Sequence, residues 1–493
     1  MKYLVSAEEM KQYDHNTIEH IGIPGMVLME RAALKAVAIL EDEYFEAVNH
    51  KKILIVVGVG NNGGDGLAMA RLLSKNNSVK IWILGNREKA SQQWKEQRKI
   101  LEYFPVEISD IFENAEYDII VDALFGVGLS REIVGIYKEA IGLVNSIRGF
   151  KMALDIPSGI CSDTGRVMGI GFKADVTVTF GFEKRGLYMF PGYEYAGKII
   201  PAEIGIDEHA FMGKEPHMFY YDEKISELMP RRVASGNKGT FGKALLIAGA
   251  VNMAGAGILA GKSAYRTGCG MVKLISPALN REIIQSILPD ALYGDYSDIE
   301  NSLEWCDVIG IGPGLSKSEE AKEILKKVIE LSDKPIIIDA DGINLLSEDY
   351  ELFQTLCNQA SNGRSVIITP HMGELARLMK CSVSELKQDL LDRLIKLAEE
   401  SSFVIVAKDA RTFIVKEGQK ICMNIRGNDG MAVAGSGDVL CGIVLSLLAQ
   451  KLSAFEATCA AVNLHAAIGD FLAQKRGKQY IMASDMAEIP VPL

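Results

Sequence analysis

The first segment suited to chemistry is a loop of glycines and polar residues, Gly58–Gly66 (GVGNNGGDG), which follows the apolar run Ile53–Val57. A glycine-rich turn between a strand and a helix presents free backbone N–H groups and the positive helix end to a phosphate. Its two asparagines and its aspartate add oxygens that suit a hard cation or ligand hydroxyls. We predict a ligand-binding loop here, before a helix that begins at Leu67; a purely structural turn is the alternative.

Two acidic strand ends follow in the same half of the chain. Asp122 and Asp155 each end an apolar run and open a glycine-bearing segment, Asp122–Leu129 and Asp155–Gly159. Ligands of open α/β sheets bind outside the carboxyl ends of the strands. Either aspartate alone would equally form a turn, but three such strand ends together predict one site.

The sharpest motif of the second half is Asn428–Leu440, in which the small residues Gly435–Gly437 lead into a helix from Val439. Successive N–H groups at a helix start form an anion hole, and Asp438 lies in the first turn, within reach of a bound hydroxyl. This pattern favours phosphoryl transfer to an alcohol, because the carboxylate accepts the proton while the N–H groups stabilise the developing charge. The simpler interpretation is an acidic residue that stabilises the helix dipole.

Four weaker candidates lie in the same half. Lys408–Thr412 joins two predicted strands and is either a hairpin turn or a nucleotide contact. Gly310–Gly314 either permits close approach of a ligand or is a simple turn. His371 follows a strand, where a capping or surface role is commoner than ligand binding. Asp339–Asp341 places two carboxylates at a strand end, which suits Mg²⁺ through water or merely starts a loop.

Short apolar runs predict the strands that position these motifs. In the first half they are Ile53–Val57, Val79–Leu84, Ile119–Asp122, Met152–Asp155 and Val176–Phe180. In the second they are Ala244–Ala248, Met271–Ile275, Val308–Gly312, Ile336–Asp339, Val366–Thr369, Val404–Lys408 and Thr412–Val415. Helix-length segments separate them, and two helices fall within residues 1–50. Strands that alternate with helices predict two α/β domains with mostly parallel sheets covered on both faces, joined near residues 213–224.

Composition sets the remaining limits. A chain of 493 residues is too long for one compact domain, and 48% hydrophobic with 24% charged residues indicates a globular protein. The 53 Lys and Arg against 64 Asp and Glu give a net charge of −11, which argues against nucleic acid or an anionic membrane as a partner. The scattered cysteines and the absence of a signal-peptide pattern predict a cytoplasmic protein. The uncharged run Ala244–Gly261 is interpreted as strand, glycine loop and helix start, not as a membrane span.

Taken in order, the motifs resemble a family that fuses NAD(P)H-hydrate epimerase to ADP-dependent NAD(P)H-hydrate dehydratase. GNNGGDG, DALFGVGL and DIPSG look like epimerase motifs, and KGTFGKALLIAG, IGPGL, DADGINLL, TPHMGE and NDGMAVAGSGDVL look like dehydratase motifs. The resemblance implies a Rossmann-like epimerase domain over 1–215 and a ribokinase-like dehydratase domain over 224–493. It implies repair of hydrated NADH and NADPH, in which both epimers interconvert and the (S) form is dehydrated with ADP, giving AMP and phosphate.

The same resemblance implies site residues, position by position. Asp155 and Asp438 would be catalytic. The epimerase substrate would contact Asn61, Asn62, Gly63, Gly64, Asp65, Gly126, Val127, Gly128, Leu129, Ser130, Arg131, Glu132 and Asp155. The dehydratase substrate would contact Ala256, Gly314, His371 and Asp438, and the nucleotide would contact Lys408, Asp409, Ala410, Arg411, Thr412 and Gly437. K⁺ would be held by Asn62, Asp122 and Ser158, and Mg²⁺ would accompany ADP.

The chain departs from the family pattern at three places: Asn237–Gly239 replaces His-Lys-Gly, Met372 replaces a proline, and Asp409 and Arg411 replace small residues in the nucleotide loop. A homo-oligomer is expected, with the apolar segment Met26–Leu40 packing between subunits or against its own sheet. One alternative function is a ribokinase-like small-molecule kinase with an accessory nucleotide-binding domain. Another is a non-catalytic first domain that acts as a nucleotide sensor or scaffold.

Overall fold

The computed structural model describes residues 1–44, 48–113 and 115–489. The chain divides into two compact units, one formed by Tyr3–Met218 and the other by Phe219–Leu493 with Met1–Lys2. The functional domain limits 1–215 and 224–493 remain a prediction. Among the described residues, no helix is both long enough and apolar enough to span a membrane.

The first unit is an α/β unit built on a parallel sheet. Its strands are β1 Lys2–Val5, β2 Lys52–Val57, β3 Ser78–Ile83, β4 Val106–Ser109, β5 Ile119–Ala123, β6 Phe150–Leu154, β7 Val176–Phe180, β8 Glu183–Lys184 and β9 Lys198–Ala202. Its helices are α1 Ala7–His15, α2 Gly25–Ile39, α3 Asn61–Leu73, α4 Gln92–Ile100, α5 Ile136–Ser146 and α6 Gly192–Ala196. The sheet runs in the order β4-β3-β2-β5-β6-β7-β9 with every neighbouring pair parallel.

Alternation along β2 shows why this sheet is covered on both faces. Ile53, Ile55 and Val57 belong to one hydrophobic cluster, and Leu54 and Val56 belong to the other. Successive side chains of a strand point to opposite faces, so a strand that is apolar throughout requires cover on both. The predicted parallel, doubly covered sheet is confirmed.

The start of α3 corrects the prediction of a helix beginning at Leu67. The helix begins at Asn61, six residues earlier, and the glycines taken as loop lie in its first turns. A Cβ on Gly63 would lie 2.0 Å from the Gly58 carbonyl oxygen, and one on Gly64 would lie 2.5 Å from Met29 Cε. These glycines are therefore needed for close packing of a helix, not for an open turn. Likewise, the helix predicted from Val439 begins earlier, at Ser436.

The second unit is also α/β. Its strands are β10 Met218–Tyr220, at the unit boundary, β11 Lys243–Ile247, β12 Met271–Ile275, β13 Leu292–Gly294, β14 Val308–Ile311, β15 Ile336–Ile338, β16 Val366–Ile368, β17 Val404–Ala407, β18 Thr412–Val415 and β19 Ile421–Asn424. Its helices are α7 Ile225–Leu228, α8 Ala254–Arg266, α9 Arg281–Ile287, α10 Ile299–Trp305, α11 Glu319–Leu331, α12 Asp341–Glu348, α13 Tyr350–Ser361, α14 Met372–Leu378, α15 Val383–Gln388, α16 Leu390–Ser401, α17 Ser436–Ala449, α18 Ala454–Arg476 and α19 Ala483–Ala487.

The sheet of the second unit runs in the order β13-β12-β11-β14-β15-β16-β17-β18-β19-β10. Pairs from β13 to β17 are parallel, whereas β17, β18 and β19 are antiparallel neighbours. The mostly parallel character is as predicted. The carboxyl ends of the parallel strands share one edge of the sheet, which brings the motifs after β14, β15 and β16 to the same side.

Helix α2 carries most of the apolar segment Met26–Leu40, which is expected to pack either between subunits or against its own sheet. Its buried residues are Leu28, Met29, Ala32, Ala33 and Ala36, four of which belong to a core cluster of their own unit. Val27 and Leu34 are exposed at 40% and 49%. Packing against its own sheet therefore accounts for most of the apolar face, and the homo-oligomer stays a prediction.

Candidate active sites

A cavity of about 460 Å³ opens at the carboxyl ends of β2, β5 and β6 in the first unit. Eight of the residues implied as epimerase contacts line it: Asn61, Asn62, Asp65, Gly126, Val127, Gly128, Leu129 and Asp155. Ser130 lines a neighbouring cavity of about 520 Å³ instead. The remaining four, Gly63, Gly64, Arg131 and Glu132, line neither cavity: the two glycines are buried in α3, and the two charged residues are exposed.

Asp155 is one of the acidic residues that line this cavity. It directly follows β6 with a φ of +66°, a left-handed conformation that is unusual for a residue with a side chain. Its carboxylate Oδ1 accepts a hydrogen bond of 2.5 Å from Lys184 Nζ. The same ammonium donates to the Phe180 carbonyl oxygen at 2.6 Å and to Thr179 Oγ1 at 3.2 Å. The strained backbone and the buried ion pair together fix the carboxylate in one position.

Lys184 is a site residue that sequence reasoning missed. It lies on β8, 29 positions after Asp155, and its side chain is only 1% exposed. A lysine is rarely buried unless its charge is paired. The signal in the sequence was a single lysine close after the apolar run Val176–Phe180, which does not by itself identify a partner.

Replacing Lys184 with methionine is expected to lower the free energy of unfolding of the first unit by about 3–5 kcal/mol, because the buried Asp155 carboxylate would lose its counter-charge. The midpoint of denaturant unfolding measures this loss. The matched control is Lys198→Met, which breaks an ion pair with Glu43 whose lysine is 62% exposed and is expected to leave the free energy of unfolding nearly unchanged. Equal losses in both variants would contradict the structural role given to the buried pair.

Three polar residues lie near the carboxyl ends of β2, β5 and β6: Asn62, Asp122 and Ser158. Asp122 Oδ1 and Oδ2 accept hydrogen bonds of 2.7 Å from Ser158 Oγ and from its backbone N–H. Burial raises the pKa of Asp122 to about 6, against the lowering effect of these bonds. Both amide atoms of Asn62 are buried without a hydrogen-bond partner among the described residues. Since buried polar atoms are nearly always satisfied, the Asn62 amide is placed to bind a ligand or an ion.

The second unit's site is formed where α17 begins. Gly435 has a φ of +90°, and α17 opens with Ser436, Gly437 and Asp438. Burial, together with the nearby charge of Asp339, raises the pKa of Asp438 to about 7. A carboxylate with this pKa can take up a proton near neutral pH.

Lys408 brings the nucleotide loop to the same point. Its Nζ donates to Asp339 Oδ1 at 2.8 Å, and a Cβ built on Gly437 would lie 3.3 Å from that Nζ. Burial opposes the charge on Lys408, but the negative charges of Asp339 and Glu374 outweigh it and raise the pKa of the lysine. An ammonium therefore stands beside the helix start, where an anionic group would bind.

The remaining dehydratase contacts lie in the first turn of α8, in the loop after β14 and at the N-terminus of α14. Gly314, with a φ of +60°, approaches Ala256 so closely that an added Cβ would lie 2.9 Å from the Ala256 Cβ. The His371 ring caps α14, since its Nδ1 accepts from the backbone N–H groups of Gly373 and Glu374. The ring is nevertheless exposed and is accessible to a ligand.

Residues 408–411 form the hairpin between β17 and β18, in which Ala407 pairs with Phe413. The turn interpretation is thus confirmed. Of the two unusual charged residues, Asp409 forms an ion pair of 2.7 Å with Lys387 and Arg411 is buried. Asp409 and Arg411 therefore have structural roles in the unit, while the Lys408 side chain faces the start of α17.

Comparison with known proteins gives consistent matches in both halves. A family model described as NAD(P)H-hydrate dehydratase matches residues 244–491, and one described as YjeF-related protein N-terminus matches residues 25–186. The bifunctional NAD(P)H-hydrate repair enzyme Nnr of Moorella thermoacetica is 33% identical over 99% of this chain and 95% of its own length. The Nnr of Coxiella burnetii is 34% identical over 99% of this chain and 98% of its own length. The chain belongs to the bifunctional NAD(P)H-hydrate repair enzyme family.

A solved structure from Bacillus subtilis, an ADP/ATP-dependent NAD(P)H-hydrate dehydratase co-crystallised with ATP/Mg²⁺, is 30% identical over 55% of this chain and 95% of that chain, with a TM-score of 0.48. Membership of the bifunctional NAD(P)H-hydrate repair enzyme family confirms the resemblance drawn from the motif order. Because the full-length relatives match both halves, membership favours a two-part repair enzyme over a kinase with an accessory domain.

Proposed function

We propose that this chain is a cytoplasmic enzyme that repairs hydrated NADH and NADPH. Its first unit epimerises the (R) and (S) hydrates, and its second unit dehydrates the (S) hydrate with ADP, releasing AMP and phosphate. The observation that carries the proposal is the arrangement at the start of α17, where the Asp438 carboxylate, the N–H group of Gly437 and the Lys408 ammonium lie close together. This arrangement accepts a proton from an alcohol and stabilises a phosphoryl group.

Dehydration is proposed to proceed through phosphorylation of the ring hydroxyl. Asp438 takes the hydroxyl proton while the oxygen attacks the terminal phosphorus of ADP, so that an O–P bond forms and the bond to AMP breaks. The lone pair of the ring nitrogen then expels phosphate with the C–O bonding electrons. Loss of a proton from the neighbouring carbon restores the dihydronicotinamide. Phosphorylation matters because hydroxide is a poor leaving group and phosphate is a good one.

The pKa of Asp438 gives this reaction a defined pH dependence. A general base works only when ionised, so the dehydration rate is expected to fall about tenfold for each pH unit below about 7, where Asp438 becomes protonated. Measuring kcat/KM for the (S) hydrate between acid and neutral pH tests this expectation. A rate that stays constant well below neutral pH would contradict the role of Asp438 as base.

Analysis of the products distinguishes dehydratase from kinase. The enzyme, the (S) hydrate of NADH, Mg²⁺ and ADP are incubated together, and the products are separated by chromatography. Repair predicts NADH, AMP and phosphate in equal amounts. A phosphorylated hydrate that accumulates as a stable end product would instead establish the kinase alternative.

Epimerisation is assigned to the cavity that contains Asp155. The hydroxyl-bearing carbon must lose its configuration and regain it, which requires a group that can both donate and accept a proton. Asp155 is held by its ion pair with Lys184, at the edge of a cavity whose lining includes Asn61, Asp65 and Gly126. We assign the acid–base role to Asp155 and the binding of the hydrated ring to the loops around it.

K⁺ is proposed to bind beside this cavity. The donors present fit the ion, since a carboxylate, a hydroxyl and an amide are oxygen ligands of hard cations, and the Asn62 amide is buried without a partner among the described residues. Asn62, Asp122 and Ser158 would hold it. Bound there, the cation would supply a fixed positive charge next to the substrate loops. Mg²⁺ is proposed to enter the second unit with the nucleotide, near Asp339.

Removal of K⁺ is expected to lower the thermal stability of the first unit, because a ligand that binds only the folded state stabilises it by mass action. Thermal unfolding is compared in potassium chloride and in choline chloride at equal ionic strength. We expect a higher midpoint with K⁺ in the wild type and no difference between the salts in Asp122→Asn. An identical midpoint of the wild type in both salts would refute the proposed cation site.

A further inference from the structure

We propose that Asp14 is a second acid–base residue of the epimerase site and works together with Asp155. The proposal rests on the epimerase function assigned above. It assigns a catalytic role to helix α1, a segment outside the strand-end loops that the sequence motifs identify.

Asp14 lies on the face of the N-terminal helical segment that lines the cavity. Four residues of the N-terminal helical segment line the same cavity as Asp155: Met10, Lys11, Asp14 and Ile18. Residues 10, 14 and 18 are spaced by four, which places them on one face of a helix. Asp14 is half-buried, so its carboxyl group reaches the cavity and still exchanges protons with water.

Acidic side chains outnumber basic ones in the lining of this cavity. Three carboxyl groups line the cavity, those of Asp14, Asp65 and Asp155, and the one buried ammonium there is that of Lys184. An ammonium has three N–H donors, and those of Lys184 are directed to Asp155, Thr179 and the Phe180 carbonyl oxygen. Among the described residues, neither Asp14 nor Asp65 accepts a hydrogen bond from another side chain. Of the three carboxyl groups, Lys184 therefore hydrogen-bonds only to that of Asp155.

The electrostatics of Asp14 agree with this division. Burial and then the charge of Asp155 raise the pKa of Asp14, while Lys184 and His15 lower it. Burial, with the charges of Asp155 and Asp14, raises the pKa of Asp65 well above its usual value. Lys11 is the other charged residue of α1 at the cavity. Asp14 and Asp65 thus retain their protons to higher pH, beside the carboxyl group that pairs with the Lys184 ammonium. This is the arrangement expected of an acid and a base in one site.

The reaction needs such a pair. To invert the hydroxyl-bearing carbon, a carboxylic acid protonates the hydroxyl, the C–O bond breaks with its electrons leaving in water, and the ring nitrogen's lone pair forms a C=N⁺ bond. Water then adds to the opposite face while a carboxylate removes its proton. The acid donates one proton and the base removes one, so the protons balance, but the two transfers take place on opposite faces of the ring. A single fixed carboxylate serves one face well, whereas Asp14 and Asp155 approach the cavity from different elements.

The test measures epimerisation alone. Separated (R) and (S) hydrates of NADH are incubated with the full chain and K⁺ without ADP, which keeps the dehydratase idle, and the epimers are resolved by chromatography. Asp14→Asn is expected to lower kcat by about 10²-fold or more, with KM changed by less than about threefold. In the wild type, deprotonation of Asp14 should lower the rate at high pH, and this pH dependence should be absent in Asp14→Asn. Asp14→Glu should partly restore both kcat and the loss of rate at high pH.

Controls separate the possible outcomes. Glu19→Gln, an exposed carboxyl group outside the cavity lining, should epimerise at the wild-type rate, and dehydration of the (S) hydrate with ADP should be unchanged in every variant. An Asp14→Asn protein with wild-type kcat and pH profile, beside an inactive Asp155→Asn, overturns the role of Asp14 alone. A lowered rate in Asp14→Asn with an unchanged pH profile also overturns it, in favour of a structural role. Failure of the wild type to exceed the spontaneous rate instead overturns the epimerase function.

Discussion

Replacing Asp438 with asparagine is expected to lower the rate of dehydration of the (S) hydrate by about 10³-fold, within the range contributed by a positioned general base. Asparagine has nearly the same shape but cannot take up the hydroxyl proton. The backbone N–H group of Gly437 remains, as does the Lys408 ammonium, so ADP binding is expected to persist. Steady-state kinetics of NADH recovery and calorimetric titration with ADP measure the two quantities separately.

The matched control for Asp438 lies nearby in the same motif. Asp429 is 79% exposed and forms a surface ion pair with Lys478, so Asp429→Asn should dehydrate at nearly the wild-type rate. Substantial turnover by Asp438→Asn would contradict the proposed base. Loss of ADP binding together with turnover would show that Asp438 acts in nucleotide binding instead.

The second large effect is expected for Asp155→Asn in the first unit. The variant should lose epimerisation by about 10³-fold and should still dehydrate the (S) hydrate at the wild-type rate, because the two reactions belong to different units. It should also unfold at a lower temperature, because the Lys184 ammonium would lose its counter-charge. Epimer interconversion, NADH recovery and thermal unfolding are the three measurements.

Asp110→Asn is the control for this substitution. Asp110 is 64% exposed, and its partner is the surface residue Arg87, so its loss should change neither activity nor stability appreciably. An Asp155→Asn enzyme that epimerises normally would remove the first unit's assigned acid–base residue. Loss of both activities would show that the substitution disturbs more than the first unit.

Strand positions were the part of the fold most accessible from the sequence. A run such as Ile53–Val57 is apolar at every position because both faces of the sheet are covered, and that pattern is hard to produce otherwise. Shorter or more polar strands, β4 and β13 for example, carry no such run and were not predicted. A glycine-rich segment predicts a loop, yet Gly63 and Gly64 lie inside α3, because each glycine there makes room for a close neighbour, Gly58 or Met29.

The site was predictable where chemistry is concentrated in a short segment. Asp155 and Asp438 each stand beside glycines at the end or start of an element, and local sequence is sufficient to select them. Lys184 and Asp14 lie 29 and 141 positions from Asp155, on β8 and α1, and only the fold brings them to the same cavity. Lys184 and Asp14 are identified by their burial and by the charges around them, which residue spacing in the sequence does not reveal.

The most direct test of the account is recovery of NADH from a mixture of both hydrate epimers by the purified full-length chain, with K⁺, Mg²⁺ and ADP. The near-ultraviolet absorbance of the reduced nicotinamide reports the recovery. We predict that both epimers are consumed completely, that recovery requires ADP, and that Asp155→Asn recovers the (S) fraction rapidly and the remainder only at the spontaneous rate of epimerisation. No recovery of NADH with either ADP or ATP would contradict the account.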